Sequence, residues 1–309
     1  MAAEVSFTVD TPRGPRALSV RYERRGGGEP LLLLHGIGHH WQAWEPVLDV
    51  LAGERDVIAA DLPGFGASGA LPDGLAYEAA TVVPALGALC AALGVDRPHV
   101  AGNSLGGLLA LEMGRAGLAR SVTALSPAGF WSEGERRYAF ATLRAMRLGS
   151  RALPVPLIER LSRSAAGRVA LTGAVYARPA RRSPEAVVAE TLALRSAAGF
   201  EQTLAAGRGV PYREDVPGVP VTIAWGTRDR LLLPRQGVRA RGVLPGARLV
   251  RLPGCGHVPM HDDPALVARV VLDGSGGRAG RRADPGRGAG RAPGATAPGT
   301  PAAEDPAHP

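Results

Sequence analysis

The sequence predicts an α/β protein: a mostly parallel, eight-stranded sheet flanked by helices, with a helical segment inserted near its middle. Three observations carry this. Short apolar β-type runs alternate with helical patterns over most of the 309 residues, as a parallel sheet with helices on both faces requires. The rhythm stops for some 90 residues between Pro127 and Pro220, where helical text replaces it. After Leu272 no Val, Leu, Ile, Met or aromatic residue occurs, so the core closes there.

The first two runs, "EVSFTVD" (4–10) and "ALSVRYER" (17–24), alternate apolar and polar residues as half-exposed antiparallel edge strands do. "PLLLLHG" (30–36), "RDVIAADL" (55–62), "PHVAGN" (98–103), "SVTALSP" (121–127), "PVTIAWG" (220–226) and "ARLVRLPG" (247–254) supply six more strands. Residues 41–52, 76–93, 105–116, 234–242 and 263–272 read as the intervening helices. Within the insertion, "SEGE" (132–135) is a capping-box pattern, and "SPE" (183–185) puts Ser at an N-cap and Pro at the first helical position. Residues 1–129 and 214–273 are thus expected to form the core. Residues 130–213 are expected to form a helical cap over the carboxyl edge of the sheet, where such sheets bind ligands. The Gly/Pro/Ala/Arg-rich stretch 274–309 buries too little to offset its chain entropy and is expected to be disordered.

Composition narrows the function. Hydrophobic residues make up 45%, enough for a sizeable core. The N-terminus has neither a basic leader nor an apolar stretch, and no window approaches the roughly 18 apolar residues of a membrane span, so a cytoplasmic protein is expected. Cys90 and Cys255 are far apart in sequence and suggest free thiols rather than a disulfide or a metal site. The net charge of +8 is carried by arginine alone, and residues 130–213 hold 14 Arg, 6 Glu and no Asp. That excess reads either as solvated helix faces or as attraction of an anionic substrate, with Arg181 and Arg182 as examples. The arginines of 274–309 have no interleaved aromatic residue and no accompanying motif, so no nucleic-acid partner is expected.

Chemistry is suggested by "GNSLG" (102–106), which follows an apolar strand and opens a helix. A serine hydroxyl must be exposed, given a base and faced by oxyanion donors before it attacks at neutral pH. Gly102 and Gly106 leave room for a strained strand-to-helix turn that would present Ser104. His257, in the glycine-flanked loop "GCGH" after the last strand, is placed to act as the base. Asp229, in "WGTRDR" after the preceding strand, is placed to orient it.

"HGIG" (35–38), "DLPGFGASG" (61–69), "GNSLGG" (102–107), "WGTRDRLLLP" (225–234) and "GCGHVPM" (254–260), in this order, resemble the α/β-hydrolase fold family over about residues 5–272. The resemblance implies Ser104 as nucleophile, His257 as general base and Asp229 as orienting acid. It further implies an oxyanion hole from the backbone N–H groups of Leu105 and Ile37, with Gly38 in reserve, and Gly36, Gly38 and Asn103 at the substrate pocket. No metal or organic cofactor is implied. Asp61 is expected to shape its own turn. His35, His39, His40 and His261, with Trp41 and Trp44, are expected in packing or surface roles. The implied reaction is acyl transfer to water through an acyl-enzyme, with a small carboxylic ester as substrate. Asn103 also resembles the carbon–carbon hydrolases of ring-cleavage products, whereas Val258 stands where those usually carry Trp. A cofactor-free perhydrolase and a non-catalytic small-ligand-binding protein are the remaining alternatives.

Overall fold

In the computed structural model, residues 2–208 and 211–276 are described. Eight strands form one sheet: β1 (Ala3–Val9), β2 (Arg16–Gly26), β3 (Pro30–Leu34), β4 (Asp56–Ala60), β5 (His99–Asn103), β6 (Ser121–Leu125), β7 (Val221–Gly226) and β8 (Arg248–Leu252). Their order is β1-β2-β4-β3-β5-β6-β7-β8. β1 pairs antiparallel with β2 and β2 antiparallel with β4, while every other pair is parallel. One expectation is corrected: β2 is an interior strand with neighbours on both sides, and of the two only β1 lies at an edge of the sheet. Of the polar residues of β2, Ser19, Arg21 and Arg25 are half-buried, Arg16 and Arg24 exposed and Glu23 buried.

Side chains alternate between two cores, one on each face. Leu32, Leu34, Ile58 and Ala60 join one apolar cluster, and Leu31, Leu33, Val57 and Ala59 join the other, as the twofold period of a strand requires. The first face is covered by α2 (Ala79–Ala92), α3 (Leu105–Arg115) and α9 (Arg235–Val243). The second is covered by α1 (Glu45–Ala52) and α10 (Pro264–Gly274). Trp41 and Trp44, in a 3₁₀ turn before α1, pack in that second core.

Between β6 and β7 lie α4 (Glu133–Ala152), α5 (Val155–Ser162), α6 (Ala165–Thr172), α7 (Pro184–Ser196) and α8 (Phe200–Ala206). Ser132 and Glu135 form the capping box that opens α4, and the Ser183 hydroxyl accepts the Ala186 N–H to open α7. Glu135 also reaches outside its helix. Its carboxylate pairs with Arg235 at 2.5 Å and with Arg239, tying α4 to α9. At the other end of the chain, α10 continues through Gly274, and the buried Ser275 carbonyl accepts from Arg55 at 2.7 Å. Of the stretch 274–309 expected to be disordered, Gly274 and Ser275 are packed on the fold, and 277–309 lie outside the described residues. Among the described residues no helix is long and apolar enough to cross a membrane.

Packing is especially close where β3, β5 and α3 meet. A Cβ on Gly106 would sit 2.2 Å from the Leu34 carbonyl oxygen, and one on Gly102 would sit 2.0 Å from the Gly106 carbonyl oxygen. Gly106→Ala is expected to destabilise the protein by roughly 1–3 kcal/mol or more, the range for overpacked cores. Denaturant unfolding measures it, and an unchanged midpoint would show that the helix can move off the sheet without cost.

Candidate active site

Ser104 stands between β5 and α3 with φ 56° and ψ −115°, a conformation that side-chain-bearing residues rarely adopt and that costs on the order of 1–3 kcal/mol. The close glycines hold it there. Its N–H donates to the Leu125 carbonyl at 3.0 Å, and its carbonyl accepts from Leu108 and Ala128. The side chain reaches a cavity of about 410 Å³ whose walls include Ile37, Leu62, Phe65, Leu105, Leu108 and Leu232.

Asp229 and His257 lie on the loops after β7 and β8. Asp229 Oδ1 accepts the N–H groups of Leu231 (2.9 Å) and Leu232 (2.8 Å), which leaves Oδ2 to accept from His257 Nδ1 at 2.8 Å. A carboxylate acceptor fixes the proton on Nδ1 and leaves Nε2 as the basic nitrogen. Ser104 Oγ makes no hydrogen bond to His257. The two residues are joined one position away, because Asn103 Nδ2 donates to the His257 carbonyl at 2.9 Å and to the Leu125 carbonyl at 3.1 Å. Of the three residues, Ser104 alone lines the cavity.

Ile37 and Leu105 both line the cavity beside Ser104, and neither backbone N–H has a partner among the described residues. Leu105 is the first residue of α3, where an amide has no intrahelical acceptor. The expected pocket residues fare differently. Gly38 lines an adjoining cavity of about 350 Å³, which shares Ile37 and Leu143 with the first. Gly36 and Asn103 line neither. Gly36 packs against the Ser104 Cβ, and Asn103 is buried with its amide committed to the two carbonyls. Their expected pocket role is therefore corrected to a supporting one.

Of the arginines of 130–213, only Arg213 lines the Ser104 cavity. The charged residues of the Ser104 cavity are Glu78, Glu112, Glu214 and Arg213. Arg182 is buried, pairs with Glu190 and stacks 4.2 Å over the Tyr176 ring, while Arg181 is exposed. Burial needs a partner for a guanidinium, and Glu190 supplies it.

The neighbouring histidines are structural. His35 Nδ1 donates to the Gly36 carbonyl at 2.7 Å and Nε2 accepts the Leu62 N–H at 3.0 Å, so the neutral ring clamps two loops together. Burial pushes its pKa down to about 3, and that of His261 to about 3 as well. Asp61 accepts from Trp41 N–H at 2.6 Å and Ala67 N–H at 2.8 Å, shaping its turn, and burial raises its carboxyl to about 6. Both cysteines are buried free thiols, raised by burial to about 11 (Cys90) and about 12 (Cys255), so neither supplies a thiolate near neutral pH. No group of three or more His, Cys, Asp or Glu among the described residues could hold a metal ion.

Sequence reasoning missed the partners of the His257 loop. The Val175 carbonyl, between α6 and α7, accepts the N–H groups of His257 (2.8 Å) and Val258 (3.1 Å). Asp262 accepts from Ala177 N–H (3.1 Å), Arg178 N–H (3.0 Å) and Gly256 N–H (2.8 Å). The bonds from Ala177 and Arg178 to Asp262 span 85 and 84 residues, and no local pattern in the sequence announces them.

With the fold and this geometry in hand, comparison with known proteins is informative. The sequence model of the alpha/beta hydrolase family matches residues 31–270. The chain belongs to that family. It is 28% identical to an uncharacterized protein of Mycobacterium tuberculosis over 260 residues, covering 80% of this chain and 75% of that one. It is 28% identical to an epoxide hydrolase of Mycobacterium tuberculosis over 188 residues, 58% of this chain and 86% of that one. Among solved structures, a thermophilic esterase from Thermogutta terrifontis aligns with a TM-score of 0.67 at 22% identity, covering 88% of this chain and 97% of the esterase. Its family makes the protein a hydrolase.

Two outcomes follow. Asp262→Ala strands three amide donors and is expected to destabilise the protein by about 3 kcal/mol, read from denaturant unfolding. An unchanged stability would mean that water replaces the carboxylate freely. For pH, a buried neutral His35 takes its proton only near pH 3 when folded but near 6.5 when unfolded. The unfolded chain therefore binds more protons between those values. The stabilisation is complete above about pH 6.5 and is lost as pH falls toward 3. Asp61, raised to about 6, works in the opposite direction over part of that window. Thermal unfolding between pH 4 and 6 should show a shallower pH slope in His35→Gln, by about 1.4 kcal/mol per pH unit. An identical slope would remove His35 from the acid sensitivity.

Proposed function

We propose that the protein is a serine hydrolase acting on a neutral carboxylic ester with an apolar acyl group, by a Ser104–His257–Asp229 triad. The observation that carries this is a serine held in a strained turn at the wall of an apolar cavity, beside two amides without partners. His257 Nε2 takes the proton from Ser104 Oγ as the oxygen attacks the acyl carbon. Contact between them tightens when substrate is bound, as is common for hydrogen bonds that are long without substrate. The N–H groups of Ile37 and Leu105 stabilise the tetrahedral oxyanion, each by about 3–4 kcal/mol. The imidazolium, stabilised by Asp229, returns its proton to the departing alcohol, leaving an ester on Ser104. Water then attacks that ester by the same route in reverse, with His257 again the base.

Two features support a neutral, apolar substrate over an anionic one. The cavity walls are mainly aliphatic and aromatic, and three of their four charged residues are carboxylates. The helical segment 130–213 contributes Trp131, Phe140, Leu143 and Leu204 to those walls and so acts as a cap over Ser104. An epoxide substrate is disfavoured because the epoxide hydrolases of this fold attack with Asp, and this chain has Ser104.

The test is labelling with a fluorophosphonate probe together with turnover of p-nitrophenyl butyrate. The native protein is expected to be labelled and Ser104→Ala to be silent in both assays, whereas Asp229→Asn should lower kcat by roughly 10⁴-fold, as loss of the orienting acid does elsewhere. Equal labelling of Ser104→Ala and the native chain would sink the assignment.

A further inference from the structure

The large hydrophobic side chains that remain exposed among the described residues are unevenly placed. Five of the seven, Tyr138, Leu148, Val155, Leu157 and Val169, lie on α4, α5 and α6. The corner between α4 and α5 is the densest part. Leu148 is 70% exposed, Leu157 38% and Val155 36%, with exposed Pro154 and Pro156 between them. A solvated helix face carries few such residues, and clustered ones mark a contact surface.

The charge at this corner is predominantly positive. Arg151, Arg160 and Arg163 are exposed, none is in an ion pair with a described residue, and Glu159 is the single acid from 136 to 184. Apolar side chains interleaved with arginines, on a helix of which only Ile158 and Ser162 are buried, have the composition of an interfacial segment. The apolar groups enter the acyl region, and guanidinium groups meet phosphates at headgroup level.

The same corner leads inward. Met146, Gly149, Ser150 and Leu153, interspersed with the exposed Leu148, Arg151 and Val155, line the second cavity. That cavity shares Ile37 and Leu143 with the one that holds Ser104. The second cavity thus takes walls from the α4–α5 corner and shares with the Ser104 cavity Ile37, the residue whose N–H faces the candidate oxyanion.

We infer that the α4–α5 corner docks on an anionic lipid surface and that an ester dissolved in the lipid enters through the second cavity. The docking stands by itself, while delivery to Ser104 rests on the acyl-transfer reading above. A second copy of this chain is the competing occupant, but it would have to place like-charged arginine clusters against each other across a twofold axis.

Co-sedimentation of the full chain with phosphatidylcholine vesicles, plain or with about one third phosphatidylglycerol, tests the inference. The native protein is expected to bind the anionic vesicles at least ten-fold more tightly than the neutral ones. L148S/L157S should lose at least ten-fold in that binding. R160E/R163E should lose more, since each arginine near such a surface contributes roughly five-fold. Because the variants keep residues 274–309, binding that persists unchanged in both would assign it to that basic stretch and overturn the proposal. So would a native protein that binds neither vesicle, or a native dimer that L148S/L157S converts to monomer. Both variants should keep native thermal unfolding and native hydrolysis of water-soluble p-nitrophenyl acetate. Vesicle binding is read without substrate, so its failure is distinct from a failure of Ser104 labelling.

Discussion

The backbone at Ser104 can hold its positive φ only because α3 approaches β3 and β5 more closely than any side-chain-bearing residue would allow. Gly106 lies against the Leu34 carbonyl, and Gly102 lies against Gly106 itself. Were the helix to move outward by the width of a methyl group, the serine would relax toward an ordinary conformation and its hydroxyl would turn away from the cavity. The sheet order reinforces this placement. β5 is flanked by β3 and β6, so the turn is anchored at the centre of the sheet, where strands have neighbours on both sides and edge fraying does not reach.

Several elements around that turn are joined by buried polar groups that have partners. Asn103 joins the serine turn to the His257 loop. Val175 and Asp262 join that loop to the segment between α6 and α7, and Glu135 joins α4 to α9. The helical segment between β6 and β7 and the His257 loop are thereby linked by hydrogen bonds rather than by apolar contact alone. A shift of that segment would strain the bonds that position the imidazole. The histidines close to these joints are kept neutral by burial, which keeps uncompensated positive charge out of the region facing the cavity.

The arginine excess finds its explanation in several separate places. Arg182 and Arg147 are buried and serve packing. Arg182 pairs with Glu190 over Tyr176, and Arg147 donates to the carbonyls of Leu194 and Ala197 over the Phe200 ring. Arg235 and Arg239 clamp Glu135. A subset at the α4–α5 corner, Arg151, Arg160 and Arg163, combines exposure, no ion pair with a described residue and apolar neighbours. A net charge summed over the segment cannot separate these roles, because it counts a guanidinium alike whether it is desolvated against a carboxylate or free in water.

The strands, the helices of the core, both serine N-caps and the positions of Ser104, Asp229 and His257 on loops after strands were legible in the sequence. These depend on local patterns: twofold or 3.6-residue periodicity, glycines flanking a serine, and a hydroxyl one residue before a helix. The interior place of β2, the supporting role of Asn103 and Gly36, and the burial of Arg182 were not legible. Each depends on which groups the fold brings together across long stretches of chain. Asp262 illustrates the difference, since a carboxylate in a surface-like "HDDP" sequence becomes the acceptor for amides some 85 residues away. By itself the sequence determined the architecture and the loops that carry Ser104, Asp229 and His257, because periodicity and turn chemistry are local. Only the tertiary structure decided which polar groups line the cavity and which support it, because desolvation and hydrogen-bond partners are properties of the packed chain.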